Sequence, residues 1–389
     1  MASVNTILKN RTHRPLRRTK LQETCGQIAD LAQTLGPDEK LPTVIQLRDR
    51  LGVSVATLNS ALTELEAQRL IRRKHGVGIY VSPRISQRTV CLICDPSFFR
   101  ISGASPFWNL FVDQVRQRAE AEQEAFSFHF TADDPAFVSQ EEAVDAPFQS
   151  GLISDLVHGR VDGILCVGVL EPTMRWLVKQ QVPIVAFAGP GPYRVGVDAK
   201  EVTRLGVQAL AVKGCRRIAY WSPVVPYRAG PHSLPLDPEN RTVFAECLAA
   251  EGLTLYPELI EQNEHLAVLP TFHTQSHQEQ GYHLAVKVFG PNNPAENRPD
   301  GIVSSDDMMT QGALTSLQRL GLRIGTDVQI ATHANVGSPA LLGWENDLTM
   351  IEVDPAEIVH QMFNKLERLM QGVAPVQTLY EVTPRLRGA

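Results

Sequence analysis

Leu41 to Val81, LPTVIQLRDRLGVSVATLNSALTELEAQRLIRRKHGVGIYV, constrains this chain more than any other stretch. Thr43 with Gln46 three residues later is a capping-box pattern, which predicts a helix over Val44 to Leu51. Gly52-Val53-Ser54 makes a turn, and Ser54 can cap a second helix over Val55 to Gln68 with Leu58, Leu62 and Leu65 on its buried face. Ile71 to Lys74 and Ile79 to Val81 read as short strands around His75-Gly76-Val77-Gly78. Upstream, apolar residues at 21, 25, 28, 31, 32 and 35 keep the helical period, and Gly36-Pro37 ends that helix. Helix, tight turn, helix and basic two-stranded wing is an arrangement that lays a helix into a DNA groove.

Charge separates this segment from the rest. Residues 1–85 hold 14 Lys/Arg and 7 Asp/Glu, a net of +7, whereas residues 86–389 hold 23 and 35, a net of −12. Only the first part is suited to a polyanion. Six scattered cysteines, several in apolar surroundings, point to reduced thiols and a cytoplasmic location. Cys91 and Cys94 form a CxxC, but inside the strand-like TVCLIC, where positions three apart face opposite ways. No apolar run is long enough for a membrane span, and MASVNTILKNRTHRPLRRTK reads as a flexible basic arm rather than a signal peptide.

After the polar linker PRISQRT (83–89), strands and helices alternate. VCLIC (90–94), FSFHF (126–130), DGILCVG (162–168), PIVAFAG (183–189), RIAYWSP (217–223), DGIVSSD (300–306) and VQIATHA (328–334) read as strands. Helical patterns cover 108–123, 153–158, 200–212, 240–251, 309–320 and 358–370. The expected fold class is α/β: a winged helix-turn-helix followed by a two-lobed, doubly wound sensor. The expected domains are an arm over 1–20, a reader over 21–82, a linker over 83–89 and a sensor over 90–389.

The reader resembles the winged helix-turn-helix of the GntR family of bacterial regulators. Leu41-Pro42-Thr43 corresponds to that family's LPS opening, Gly52-Val53-Ser54 to its GVS turn, Ala61-Leu62 with Leu65 to its second helix, and Gly76-x-Gly78 with Val81 to its wing. The resemblance implies contact with double-stranded operator DNA by Thr43, Ser54, Ala56, Thr57, Asn59, Ser60, Arg72, Arg73, Lys74, His75 and Gly76. Where the family carries arginines, this chain has Ile45, Val55 and Asn59. Asn can read adenine, and small residues can pack on a thymine methyl. Compensating charge is expected from Arg48, Arg50, Arg69, the wing cations and the arm from Arg11 to Lys20.

From Thr89 onward the chain resembles the effector domain of the LacI family, which has the periplasmic-binding-protein type I fold. The matching blocks are VDGILCVG, PIVAFAG with VGVDAKEVTRLGVQALAVKGCRRIAYW, RPDGIVSSDDMMTQGALTSLQRLGLRIGTDVQIATHAN, and LTMIEVDPAEI. The resemblance implies a homodimer and a small effector, a sugar or sugar derivative, held between two lobes. Its candidate contacts are Phe107, Trp108, Asp198, Arg241, Asp307 and Asn335. Asp306 takes a family Asn position and is expected to cap the following helix instead. For Phe107 and Trp108 the alternative is plain core packing, for Asp198 a structural cap. Trp221 is expected near the lobe crossing. His265, His273, His277 and His283 are expected in a polar loop, with no metal signature. No GxSxG, P-loop or dinucleotide fingerprint is present, so no enzyme activity and no cofactor are expected. The alternative is a cytoplasmic sugar-binding protein or sugar-processing enzyme whose winged helix contacts protein.

Overall fold

The computed structural model describes residues 20–68, 70–96, 105–131, 148, 150–157, 159–223, 238–261 and 276–388. It divides into two compact units, Met1–Arg88 and Thr89–Ala389.

The first unit is built from α1 (Lys20–Leu35), α2 (Val44–Leu51), α3 (Val55–Ala67), β1 (Ile71–Lys74) and β2 (Gly78–Val81). Thr43 caps α2 through the expected box: its hydroxyl accepts from the Gln46 N–H, and Gln46 Oε1 accepts from the Thr43 N–H at 2.9 Å. Gly52 ends α2 in the left-handed region at φ 61°, where a side chain would be strained. Ile28 from α1, Leu47 from α2, Leu58, Leu62 and Leu65 from α3, and Ile71 and Val81 from the wing fill one core. β1 and β2 pair antiparallel from Ile71↔Val81 to Lys74↔Gly78. A short 3-10 turn, Pro83–Ser86, occupies the stretch read as a linker.

The second unit holds two six-stranded sheets. The first comprises β3 (Thr89–Cys94), β4 (Ala125–Phe130), β5 (Gly163–Val167), β6 (Ile184–Phe187), β7 (Arg194–Val197) and β13 (Leu379–Val382), in the order β13-β7-β6-β5-β3-β4. The second comprises β8 (Ile218–Trp221), β9 (Ile260–Glu261), β10 (Gly301–Ser304), β11 (Gln329–Asn335), β12 (Thr349–Val353) and β14 (Arg385–Leu386), in the order β14-β12-β11-β10-β8-β9. The pairs are parallel except β12 with β14. Each sheet places its second strand outside its first and its third on the other side. Their switch points therefore lie between β3 and β5 and between β8 and β10, where such folds take ligands beyond the strands' carboxyl ends.

Helices α4 (Pro106–Ala121), α5 (Ser150–Val157), α6 (Glu171–Val178) and α11 (Pro355–Met370) belong with the first sheet. α7 (Ala199–Val212), α8 (Pro238–Ala250), α9 (His277–Phe289) and α10 (Asp307–Arg319) belong with the second. The chain crosses between lobes three times: from β7 to α7, from β12 to α11, and from β13 to β14. Cys91 and Cys94 enter different cores on the two faces of β3. Burial pushes the Cys91 thiol up to about 11, which suits an inert structural thiol.

α9 and α10 approach closely enough to exclude any side chain at two points. A Cβ on Gly281 would stand 1.9 Å from the Met309 carbonyl oxygen, and one on Gly312 would stand 1.8 Å from that of Gln278. Among the described residues no helix is long and apolar enough to cross a membrane.

Candidate functional site

The reader presents its named residues unevenly. Ser54 caps α3 by accepting from the Thr57 N–H at 3.1 Å, and the two hydroxyls lie 2.8 Å apart in a hydrogen bond. Thr43 is similarly engaged by Gln46. Ala56, Asn59 and Ser60 are exposed on α3, and His75 and Gly76 are exposed at the wing turn. Arg72, Arg73 and Lys74 are all exposed on β1. Two of these cations already have partners. Arg72 pairs with Asp38. Arg73 Nε donates to Glu66 Oε2 at 2.8 Å, and a second guanidinium nitrogen donates to Thr63. The Arg73 N–H and guanidinium hold the Glu66 carboxyl below its ordinary range, so this pair ties the wing to α3. Lys74 Nζ lies 5.0 Å from the Tyr80 ring centroid and Lys40 Nζ lies 5.8 Å from it. Lys40 was not among the residues expected to bear charge here. It reaches the wing because its backbone bridges to Tyr80, a long-range pairing with no local signal. Arg48 pairs with Asp49. Arg69 and the arm from Arg11 to Thr19 lie outside the described residues.

In the second unit the polar centre forms at the carboxyl ends of β10 and β11. Asp306 caps α10 by accepting from the Met309 N–H at 2.7 Å. That leaves Asp307, only 2 % exposed, to accept from Asn335 Nδ2 at 3.1 Å. Asp307 and Asn335 line a small cavity of about 40 Å³ with Ser338, Glu345 and Arg387. Burial pushes the Asp307 carboxyl up to about 7, the Asp306 charge adds to the rise, and the Asn335 hydrogen bond opposes it. Beside it, His277 Nδ1 lies 2.9 Å from Asp306 Oδ2. Burial works against both charges of this pair, but their mutual attraction and hydrogen bond outweigh it. His277 is held above its ordinary range and Asp306 below its own. His333 is pushed down by burial, against the pull of Asp306.

The other candidates are not among the residues that line this cavity. Phe107 is a core residue, 7 % exposed, with its ring 5.7 Å from Phe187 and 5.8 Å from Phe111, so its large apolar surface serves the first lobe. Trp108 is half-buried against the same cluster, 4.8 Å edge-on to Phe107. Asp198 caps α7 by accepting from the Glu201 N–H at 2.9 Å, while its own N–H donates to the Val382 carbonyl at 3.1 Å. It thus links two of the three lobe crossings. Arg241 is exposed on the first turn of α8. Trp221 ends β8 but is buried in the second lobe's core beside Phe289, and its indole N–H has no hydrogen-bond partner among the described residues.

His277 and His283 lie on α9, not in a loop; His265 and His273 fall outside the described residues. The overlooked signal was local. Ser276 and Glu279 form a capping box, S-x-x-E, in which Ser276 accepts from the Glu279 N–H at 3.2 Å. Arg387 had no comparable signal, because it reaches the cavity only through the pairing of β14 with β12.

Comparison with known proteins follows this division. Residues 29–81 match the family of bacterial regulatory proteins, gntR family, and residues 207–387 match the periplasmic binding protein-like domain. No curated protein matches the chain. Among solved structures, a regulatory protein of the LacI family from Chloroflexus aggregans is 20% identical, with a TM-score of 0.59 over 77% of this chain and 96% of that one. A complex of the transcriptional regulator CelR with cellobiose is 18% identical, with a TM-score of 0.55 over 95% and 98%. A periplasmic binding protein/LacI transcriptional regulator from Alkaliphilus metalliredigens, complexed with D-xylulofuranose, is 16% identical, with a TM-score of 0.53 over 77% and 97%. At these identities the likeness is one of fold. The chain thus joins a gntR-type bacterial regulatory domain over residues 29–81 to a periplasmic binding protein-like domain over residues 207–387.

Proposed function

We propose that the chain is a ligand-responsive, DNA-binding repressor of a carbohydrate-related operon, acting in the cytoplasm as a homodimer. The observation that carries the ligand half is the Asp307–Asn335 pair, set over a small cavity at the carboxyl ends of two parallel strands. A buried carboxylate there gains from neutral hydroxyl donors, which replace water and stabilise its charge. Sugar complexes of two proteins with similar folds support the same ligand class. Ligand-driven lobe closure would be relayed through the three crossings, one of them held by Asp198, to change the spacing of paired readers. The test is calorimetric titration of the full chain with a panel of monosaccharides and disaccharides, beside duplex binding with and without each sugar. Saturable binding of a nucleobase or amino acid, with no heat from any sugar, would overturn the ligand class.

Two measurable consequences follow from this reading. Hydroxyl donors favour the ionised form of Asp307, so sugar binding should release a proton near neutrality, and affinity should rise from about pH 6 to about pH 8. Asp307→Asn should flatten that profile. The stability effect has the opposite sign. A raised carboxyl pKa contributes stability that is full below the unfolded carboxylate range and is lost as pH rises through about 7.

For the reader, Lys40 and Lys74 have no carboxylate partner among the described residues, unlike Arg72 and Arg73. Lys40→Ala with Lys74→Ala should lower the slope of log affinity against log salt by about 2, or roughly 0.9 for each lost phosphate contact. An unchanged slope would remove both from the DNA interface.

A further inference from the structure

We infer that the reader selects A·T-rich half-sites, using apolar contact with thymine methyl groups and an amide contact with adenine in place of guanine-reading cations. The inference rests on the DNA-binding reading above and specifies its sequence class.

The exposed face of α3 carries the argument. Its sequence, VATLNSALTELEA, has no Lys or Arg. Val55, Ala56, Asn59, Ser60, Thr63 and Glu64 recur at helical spacing and form one exposed stripe. The stripe is graded along the helix. Its first two turns are uncharged, whereas Glu64 stands further along and holds the Gln68 amide at 3.2 Å. A phosphate backbone is repelled by Glu64 and favoured by the helix amino terminus, so the amino-terminal half is the part that can enter a groove.

That half exposes methyl groups. Val55 is 47% exposed in the first turn of α3, and Ile45 is 65% exposed in the first turn of α2. Both are β-branched, which is unfavourable in a helix, and neither is buried enough to offset that cost. Their apolar surface suits an external partner. Of the neighbouring hydroxyls, Ser54 bonds Thr57 and Thr43 bonds Gln46, and that of exposed Ser60 serves either base pair and so does not discriminate. Arg73 is held by Glu66 and Thr63. On the amino-terminal half of the stripe, the side-chain amide is that of Asn59.

This donor set discriminates between bases. Guanine presents O6 and N7, both acceptors, and is best read by a cationic fork that the stripe lacks. Adenine presents N7 and N6–H₂, which match one Asn amide, and thymine presents a methyl that matches Val55, Ala56 or Ile45. An apolar protein partner would also cover Val55 and Ile45. However, the same unit carries Lys40 and Lys74 against Tyr80 in its wing, which favours a polyanion.

The test begins with selection of duplexes from a random pool by the full chain. The expected product contains A·T pairs at the positions contacted by α3. Replacing single thymines there with deoxyuridine deletes one methyl each and should weaken binding about fourfold per contacted methyl. Val55→Ala should abolish the effect at one of these positions, and Val55→Arg should move the preference there to guanine. Selected G·C pairs at these positions, or affinity unchanged by deoxyuridine, would overturn the inference while leaving DNA binding intact. No retained duplex from a chain that still binds a sugar would overturn the DNA-binding reading and the inference together.

Discussion

Asp307→Ala is expected to weaken binding of the effector sugar by about tenfold to a hundredfold while leaving operator affinity unchanged. The substitution removes a buried charged acceptor and leaves the Asn335 amide without its partner. Loss of a hydrogen bond to a charged group costs about 1.5–3 kcal/mol, which gives that range. The fold should survive, because the cap of α10 belongs to Asp306 and because Asp307 is costly to ionise where it stands. Thermal stability at or above that of the parent chain, together with a weakened calorimetric dissociation constant, would match this account. An unchanged dissociation constant would remove Asp307 from the site.

Gly312→Ala is expected to be more damaging to the fold than any surface substitution. The added carbon would overlap the Gln278 carbonyl, which is helix backbone and cannot rotate away. α9 and α10 must then separate, opening the core that includes Leu284, Met309 and Ala313. Overpacking of this kind costs about 3 kcal/mol or more. A loss of that size corresponds to a fall in Tm of roughly 6–12 °C for a domain of this class. The separation should also break the His277–Asp306 contact, so effector affinity should fall even in the folded fraction. Gly281→Ala should act in the same way through the Met309 carbonyl. Near-parent melting temperatures for both variants would show that the helices do not pack at this distance.

The fold was legible wherever a local pattern determined it. Thr43 and Gln46 announced α2, and the apolar runs announced β3, β5, β6, β8 and β10 with errors of a residue or two. Positions whose roles depend on distant partners were not legible. β7 lies in GPGPYRVGVD, too short and Gly-rich to read as a strand, and is held between β6 and β13. α9 was obscured by the polar residues before it, although Ser276 and Glu279 marked its start. Phe107 matched a family position yet packs in the core, because a buried aromatic and a ligand-stacking one look identical in sequence. Asp307 and Asn335 both stand at positions that the family resemblance singles out, but their hydrogen bond follows from the register of β10 with β11.

The three crossings also set an order of assembly. Residues 379–382 add an edge strand to the first sheet, and 385–386 add one to the second. A ribosome must therefore pass residue 382 before the first sheet has its last strand and residue 386 before the second has, while the described α-helices and strands of the first unit all lie before residue 82. Domains fold as units during synthesis, so the reader can mature on a nascent chain whose sensor is still open. A chain halted within the second unit would carry a complete winged helix-turn-helix beside two sheets that still lack their edge strands.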